Sequence, residues 1–86
     1  MSAPRNITLL FFAAVRELVD NDEVKLELPA NVCTIQQLSA WLEVRFPALQ
    51  GRMQSVRLAR NEAFATADEQ IEEGDVIALI PPVAGG

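Results

Sequence analysis

The sequence contains no histidine and a single cysteine. Without histidine, His-based acid–base catalysis and His metal sites drop out. Cys33 alone forms no internal disulfide and supplies no metal framework. Cations are scarce and scattered: 7 Lys and Arg stand against 12 Asp and Glu, for a net charge of -5 and a pI of about 4.5. A nucleic acid calls for a concentrated Lys/Arg footprint, so none is expected as a partner. Long apolar runs are missing too. The longest, Leu9 to Val15, stops at Arg16 and is too short to span a bilayer. Met1 to Asn6 leads into no apolar stretch with a small-residue cleavage site. The expectation is a cytoplasmic chain with no membrane contact.

What is there suffices for one domain. The chain has 86 residues, half of them hydrophobic, enough for one core and not for two. Ile7 to Phe12 reads as a strand with apolar residues on both faces, and Ala13 to Leu18 leaves it. Asp20-Asn21-Asp22 marks a turn. Glu23 to Leu28 alternates strictly, as a strand with one buried face of Val24, Leu26 and Leu28 does. Thr34 followed by Gln37 is a capping-box pattern that opens a helix, and Pro47 ends it. Ile35, Leu38, Trp41, Leu42 and Phe46 share one stripe, with Trp41 assigned to the core. Val56 to Arg60 reads as a third strand, Asn61-Glu62 as a turn, Ala63 to Ala65 as a short strand and Val76 to Ile80 as the last. Pro81-Pro82 stops that strand, since proline donates nothing to a ladder.

The order strand, strand, helix, strand, short strand, strand predicts an α+β fold of the β-grasp kind: a mixed sheet with one main helix packed on one face. The first and last strands, apolar on both faces, belong side by side and parallel at its centre. Residues 1–6 are expected to be a flexible N-terminal segment, 7–80 the domain and 81–86 an extended tail.

Side-chain chemistry is sparse. Asp68, Glu69, Glu72, Glu73 and Asp75 cluster around a turn and read as solvated surface, because carboxylates need a pocket before they do acid–base work. Cys33 sits beside a helix start but reads as a small buried residue. Ser39 and Ser55 have no neighbouring base, and no Gly-rich phosphate loop occurs. The C-terminus is more informative. Pro81-Pro82 enforces an extended exit from the sheet. Gly85 and Gly86 have no side chains, so that end fits a channel too narrow for a Cβ. The α-carboxylate of Gly86 is the one group such an end delivers.

Three segments carry a resemblance to a known family. They are Leu10 to Leu18, Val56 to Glu62, and Gly74 to Gly86 with its specific ending Pro-Pro-Val-Ala-Gly-Gly. In these the chain closely resembles the small subunits of molybdopterin synthase, within the ubiquitin-like β-grasp sulfur carriers. The likeness covers nearly the whole chain after Asn6. It implies a sulfur carrier in molybdenum cofactor biosynthesis that is a non-catalytic, sulfur-donating subunit. A ubiquitin-activating-type adenylyltransferase spends ATP to make the acyl adenylate on Gly86, and a sulfur donor displaces AMP to leave a thiocarboxylate. The carrier itself binds no cofactor and no metal. Its tail, Pro81, Pro82, Val83, Ala84 and Gly85, threads into the active site of the large synthase subunit, where sulfur passes to cyclic pyranopterin monophosphate. Two carriers flank two large subunits in a heterotetramer.

A single helix covers one sheet face, so the other is expected to present an apolar patch for a partner. The resemblance places Phe12, Phe64 and Ile80 on that face. Two other readings stay open: a sulfur carrier for thiamine thiazole synthesis or tRNA thiolation, and a non-catalytic ubiquitin-like module or a modifier joined to lysines.

Overall fold

The structure is a computed structural model that describes residues 3–82. Strand β1 (Arg5–Phe11) leads into helix α1 (Ala13–Val19), then strand β2 (Glu23–Leu28), helix α2 (Ile35–Arg45), and strands β3 (Arg57–Arg60), β4 (Ala63–Phe64) and β5 (Val76–Ile80). Two single-turn 3₁₀ segments, Pro47–Leu49 and Met53–Ser55, bridge α2 to β3. The five strands form one mixed sheet in the order β2-β1-β5-β3-β4. β1 and β5 are parallel, with Leu9 beside Ile77, and every other pairing is antiparallel. This is the expected ubiquitin-like β-grasp, with its doubly apolar strands at the centre.

Alternation along the central strands sorts their side chains between two faces. Ile7, Leu9 and Phe11 of β1 and Ile77 and Leu79 of β5 point inward and are buried. Against them α2 packs Ile35, Leu38 and Leu42. Each of these side chains contributes roughly 1.5–3 kcal/mol by leaving water, so this cluster dominates the stability. Trp41, expected in the core, is half-buried and packs against its rim. On β2 only Leu28 is fully buried; Val24 and Leu26 are half-exposed, because β2 lies at the sheet edge.

The first turn of α2 has its orphan donors satisfied. Gln37 N–H donates to Thr34 Oγ1 at 3.2 Å, and Gln37 Oε1 accepts from Thr34 N–H at 3.1 Å, which is the expected capping box. The loop before β5 supplies the rest: Ile35 N–H donates to the Glu69 carbonyl at 3.0 Å and Gln36 N–H to that of Ala67 at 2.9 Å.

Two expectations need correction. Residues 5 and 6 do not belong to a flexible segment 1–6; they open β1, where Arg5 pairs with Leu28 and its guanidinium donates to the carbonyls of Pro29 (3.0 Å), Ile71 (3.1 Å) and Val32. Ala13 to Leu18 does leave the strand, but as a second helix, α1, running on to Val19. Its Val15 joins the same buried cluster as Leu38 and Leu42, so α1 also lies on the core side and the far sheet face stays uncovered. Among the described residues no helix is long and apolar enough to cross a membrane.

Candidate docking face and C-terminal exit

The uncovered face is built by the outward half of the same alternation. Leu10 of β1 lies beside Ala78 of β5, with Val76 and Ile80 on either side of Ala78. Phe12 follows β1 with extended dihedrals (φ -121°, ψ 149°), so its ring continues the outward row before α1 begins; it is 46% exposed. Phe64 on β4 lies opposite Ala59 and is 55% exposed. Together Leu10, Phe12, Phe64, Val76, Ala78 and Ile80 line a shallow apolar groove of about 350 Å³, which Ala59 floors and Glu62 closes at one end. The structure thus brings together Phe12, Phe64 and Ile80. Exposed aromatic rings around an apolar trough are unusual on a monomer surface and are suited to a protein partner.

The groove runs to the point where the chain leaves the sheet. Ile80 is its last strand residue and Pro81 follows directly, half-buried, with Pro82 exposed. The two prolines border a second cavity of about 310 Å³ shared with Ala14, Leu18 and Val56. The remaining tail residues, Val83, Ala84, Gly85 and Gly86, lie outside the described residues.

The turn-rich acidic stretch is not all solvated surface. Asp75 is 5% exposed, the buried charge among the described residues. Its Oδ2 accepts from Arg60 Nε at 2.6 Å and from Glu72 N–H at 2.8 Å, and its Oδ1 accepts from Asn61 Nδ2 at 3.0 Å. Burial alone pushes the Asp75 carboxyl up, but the Arg60 guanidinium, the Glu72 N–H and the Asn61 amide outweigh it and hold it below the usual carboxylate range. Arg60 also reaches Glu72 at 3.2 Å and Glu69 at 3.6 Å. Both Asp75 carboxylate oxygens are committed to fold contacts, so this cluster reads as a fastener of the fold. Cys33 is half-buried, its thiol donating to the Ala30 carbonyl at 3.3 Å. Among the described residues no group of three or more acidic or thiol side chains is placed to hold a metal.

Two charged residues here escaped the sequence reading. Glu62, in the β3–β4 turn, lines the groove, and Arg57, outside its lining, stacks on the Phe64 ring with its guanidinium carbon 4.0 Å from the centroid. The alternation of β3 was the available signal, since it puts Arg57 on the same face as Ala59.

The sequence profile of the ThiS family matches residues 9–86. The molybdopterin synthase sulfur carrier subunit of Arabidopsis thaliana is 35% identical over 80 residues, covering 93% of this chain and 82% of that protein. Among solved structures, SAMP1 from Haloferax volcanii superposes with a TM-score of 0.80 at 26% identity, over 94% of this chain and 99% of that one. The complex of subunits 1 and 2 of the molybdopterin-converting factor from Helicobacter pylori contains a chain of the same fold: TM-score 0.64 at 24% identity, over 94% of this chain and 99% of that one.

Proposed function

The chain belongs to the ThiS family, and on that premise we propose that it is the sulfur carrier of a molybdopterin synthase, with Gly86 as the residue that holds the sulfur. The observation that carries this reading is the junction of an open apolar groove with the tail exit at Ile80. A partner seated in the groove, the large synthase subunit, receives the tail in a fixed direction. Pro81-Pro82 holds that direction, and the two terminal glycines let the acyl end enter a narrow active site.

The chemistry explains why the chain needs so little of its own. A carboxylate resists substitution because oxide is a very poor leaving group. An adenylyltransferase of the ubiquitin-activating type joins the Gly86 carboxylate to AMP from ATP, releasing pyrophosphate. A sulfur donor then attacks the acyl carbon and expels AMP, leaving the thiocarboxylate. In the large subunit that sulfur is transferred to the pterin precursor, cyclic pyranopterin monophosphate, and the catalytic side chains belong to that subunit. The carrier contributes position: a docked fold and a tail of set length. Two carriers on two large subunits is the assembly this reading takes.

The test is mass spectrometry of the chain after incubation with its activating enzyme, ATP and a sulfur donor. The expected result is replacement of one oxygen by sulfur, localised to Gly86. An isopeptide bond to a lysine, or an unmodified terminus with all components active, overturns the reading.

A further inference from the structure

The groove is flanked by opposite charges at its two ends, held there by separate devices. Arg57 lies directly across the β3–β5 pairing from Ile80, at the end where the tail departs. Its guanidinium lies flat on Phe64, and no carboxylate among the described residues pairs with it. Stacking fixes the side chain while leaving its in-plane N–H donors free, which lowers the ordering cost of a later hydrogen bond. Glu62 marks the other end, because the Asn61 backbone N–H donates to the Val76 carbonyl at 2.8 Å and so sets the turn beside the start of β5. Val76 and Ile80 are four residues apart, so the backbone positions that carry the two residues are separated by roughly 13 Å along the groove, with the Arg57 guanidinium leaning over Phe64.

Glu62 holds its position under strain. Asn61 and Glu62 join β3 to β4 as a two-residue turn, both with positive φ (52° and 74°). Such a turn favours asparagine first and glycine second. Asn61 follows the preference; Glu62, a side-chain-bearing residue at the glycine position, does not. Backbone strain kept at a docking groove is a pointer to function.

We propose that Arg57 and Glu62 form a two-point charge register that sets the direction in which the carrier seats on the large subunit. The partner surface that fits is an apolar ridge with a carboxylate facing Arg57 at the tail end and a Lys or Arg facing Glu62 at the other. Apolar contacts tolerate re-seating better than unlike charges tolerate a like-charged neighbour, so charges near the ends of the groove penalise a reversed seating. A reversed carrier points its tail away from the active site, so the charges select the productive orientation and steer the encounter. This inference rests on the sulfur-carrier reading, which supplies the partner.

The experiment measures binding of the purified large subunit, from the same source, by stopped-flow and calorimetry at low and high salt. Arg57→Glu and Glu62→Lys are each expected to weaken Kd by about tenfold, chiefly through slower association at low salt, and to flatten the salt dependence. Circular dichroism confirms that each variant is folded, and Arg57→Gln with Glu62→Gln gives the same direction of change without introducing repulsion. If the wild type binds and Phe12→Asp does not, while all four charge variants bind with wild-type rates and salt slope, the register is wrong and the docking reading stands. If the wild type itself does not bind, the docking reading fails.

Discussion

Arg60 Nε donates to Asp75 Oδ2 at 2.6 Å, and through this pair the turn that precedes β5 is fastened to the end of β3. Asn61, next to Arg60, completes the joint: its Oδ1 accepts from Val76 N–H at 2.9 Å while its Nδ2 donates to Asp75. The floor of the docking groove therefore inherits its geometry from an ion pair on its edge whose carboxylate is buried and whose guanidinium is half-buried.

Acid should loosen this joint. The folded Asp75 carboxyl titrates below its ordinary value of 3.8. Its stabilisation is thus fully present above that value and is lost as pH falls through the lower folded value. Urea unfolding from about pH 6 to about pH 2 should show wild-type stability falling in the acid limb, and Asp75→Asn should flatten that fall. Asp75→Ala, which removes one of three carboxylates from Arg60 and leaves the Glu72 N–H and the Asn61 amide without their acceptor, should cost roughly 1–3 kcal/mol at neutral pH. An unchanged acid limb in Asp75→Asn refutes the assignment.

This pair also shows what one-dimensional patterns miss. Arg60 and Asp75 are 15 residues apart, and Asp75 sits in a run of carboxylates that looks solvated. Nothing local separates the buried member from Glu73, whose side chain only accepts from Asn6 at the surface. Helix α1 was hidden for a similar reason. It is seven residues long, has no side-chain cap, and starts at Ala13 with φ 49°. Alternation was legible as a split: it set Ile77 and Leu79 on one face and Val76, Ala78 and Ile80 on the other, while the outer placement of Ile80 came from the family resemblance. The cap of α2 was legible because Thr34 and Gln37 carry it within one turn.

The strained turn gives a second prediction. A left-handed residue with a Cβ costs roughly 1–2 kcal/mol, and glycine gives back about 0.4–1 kcal/mol through the freedom it adds to the unfolded chain. Glu62→Gly should therefore stabilise the fold by about 0.5–1 kcal/mol in thermal or urea unfolding. Destabilisation would mean that the glutamate side chain supports the hairpin, against the view that it is retained for docking.

The groove predicts a separation of binding from folding. Phe12 and Phe64 are exposed, so Phe12→Asp should leave the melting temperature within a few degrees of wild type. In the complex it buries an unpaired carboxylate at the centre of an apolar contact, which should cost about 3 kcal/mol of affinity or more, over a hundredfold in Kd. Ile80→Asp should act in the same direction. Calorimetry against the large subunit decides it: a folded variant with wild-type affinity removes the groove from the interface.

The length of the tail should matter more than its composition. Pro82 is exposed and lies beyond the last strand, and no apolar side chain of a size to enter the core follows Val83, so deleting Gly86 should leave the melting temperature nearly unchanged. Activation then places the sulfur on Gly85, one residue short. An extended residue spans roughly 3.3–3.6 Å. Reacting atoms must approach to about 3–3.5 Å, so a shortfall of that size removes almost the whole rate even when docking is intact. An added residue after Gly86 should be as damaging, because it moves the acyl carbon past the reacting position and brings a side chain into the channel. Pterin dithiolene formation in the reconstituted complex is the readout, with binding measured in parallel. If the shortened chain binds normally and transfers sulfur at the wild-type rate, tail length is not what positions the acyl group.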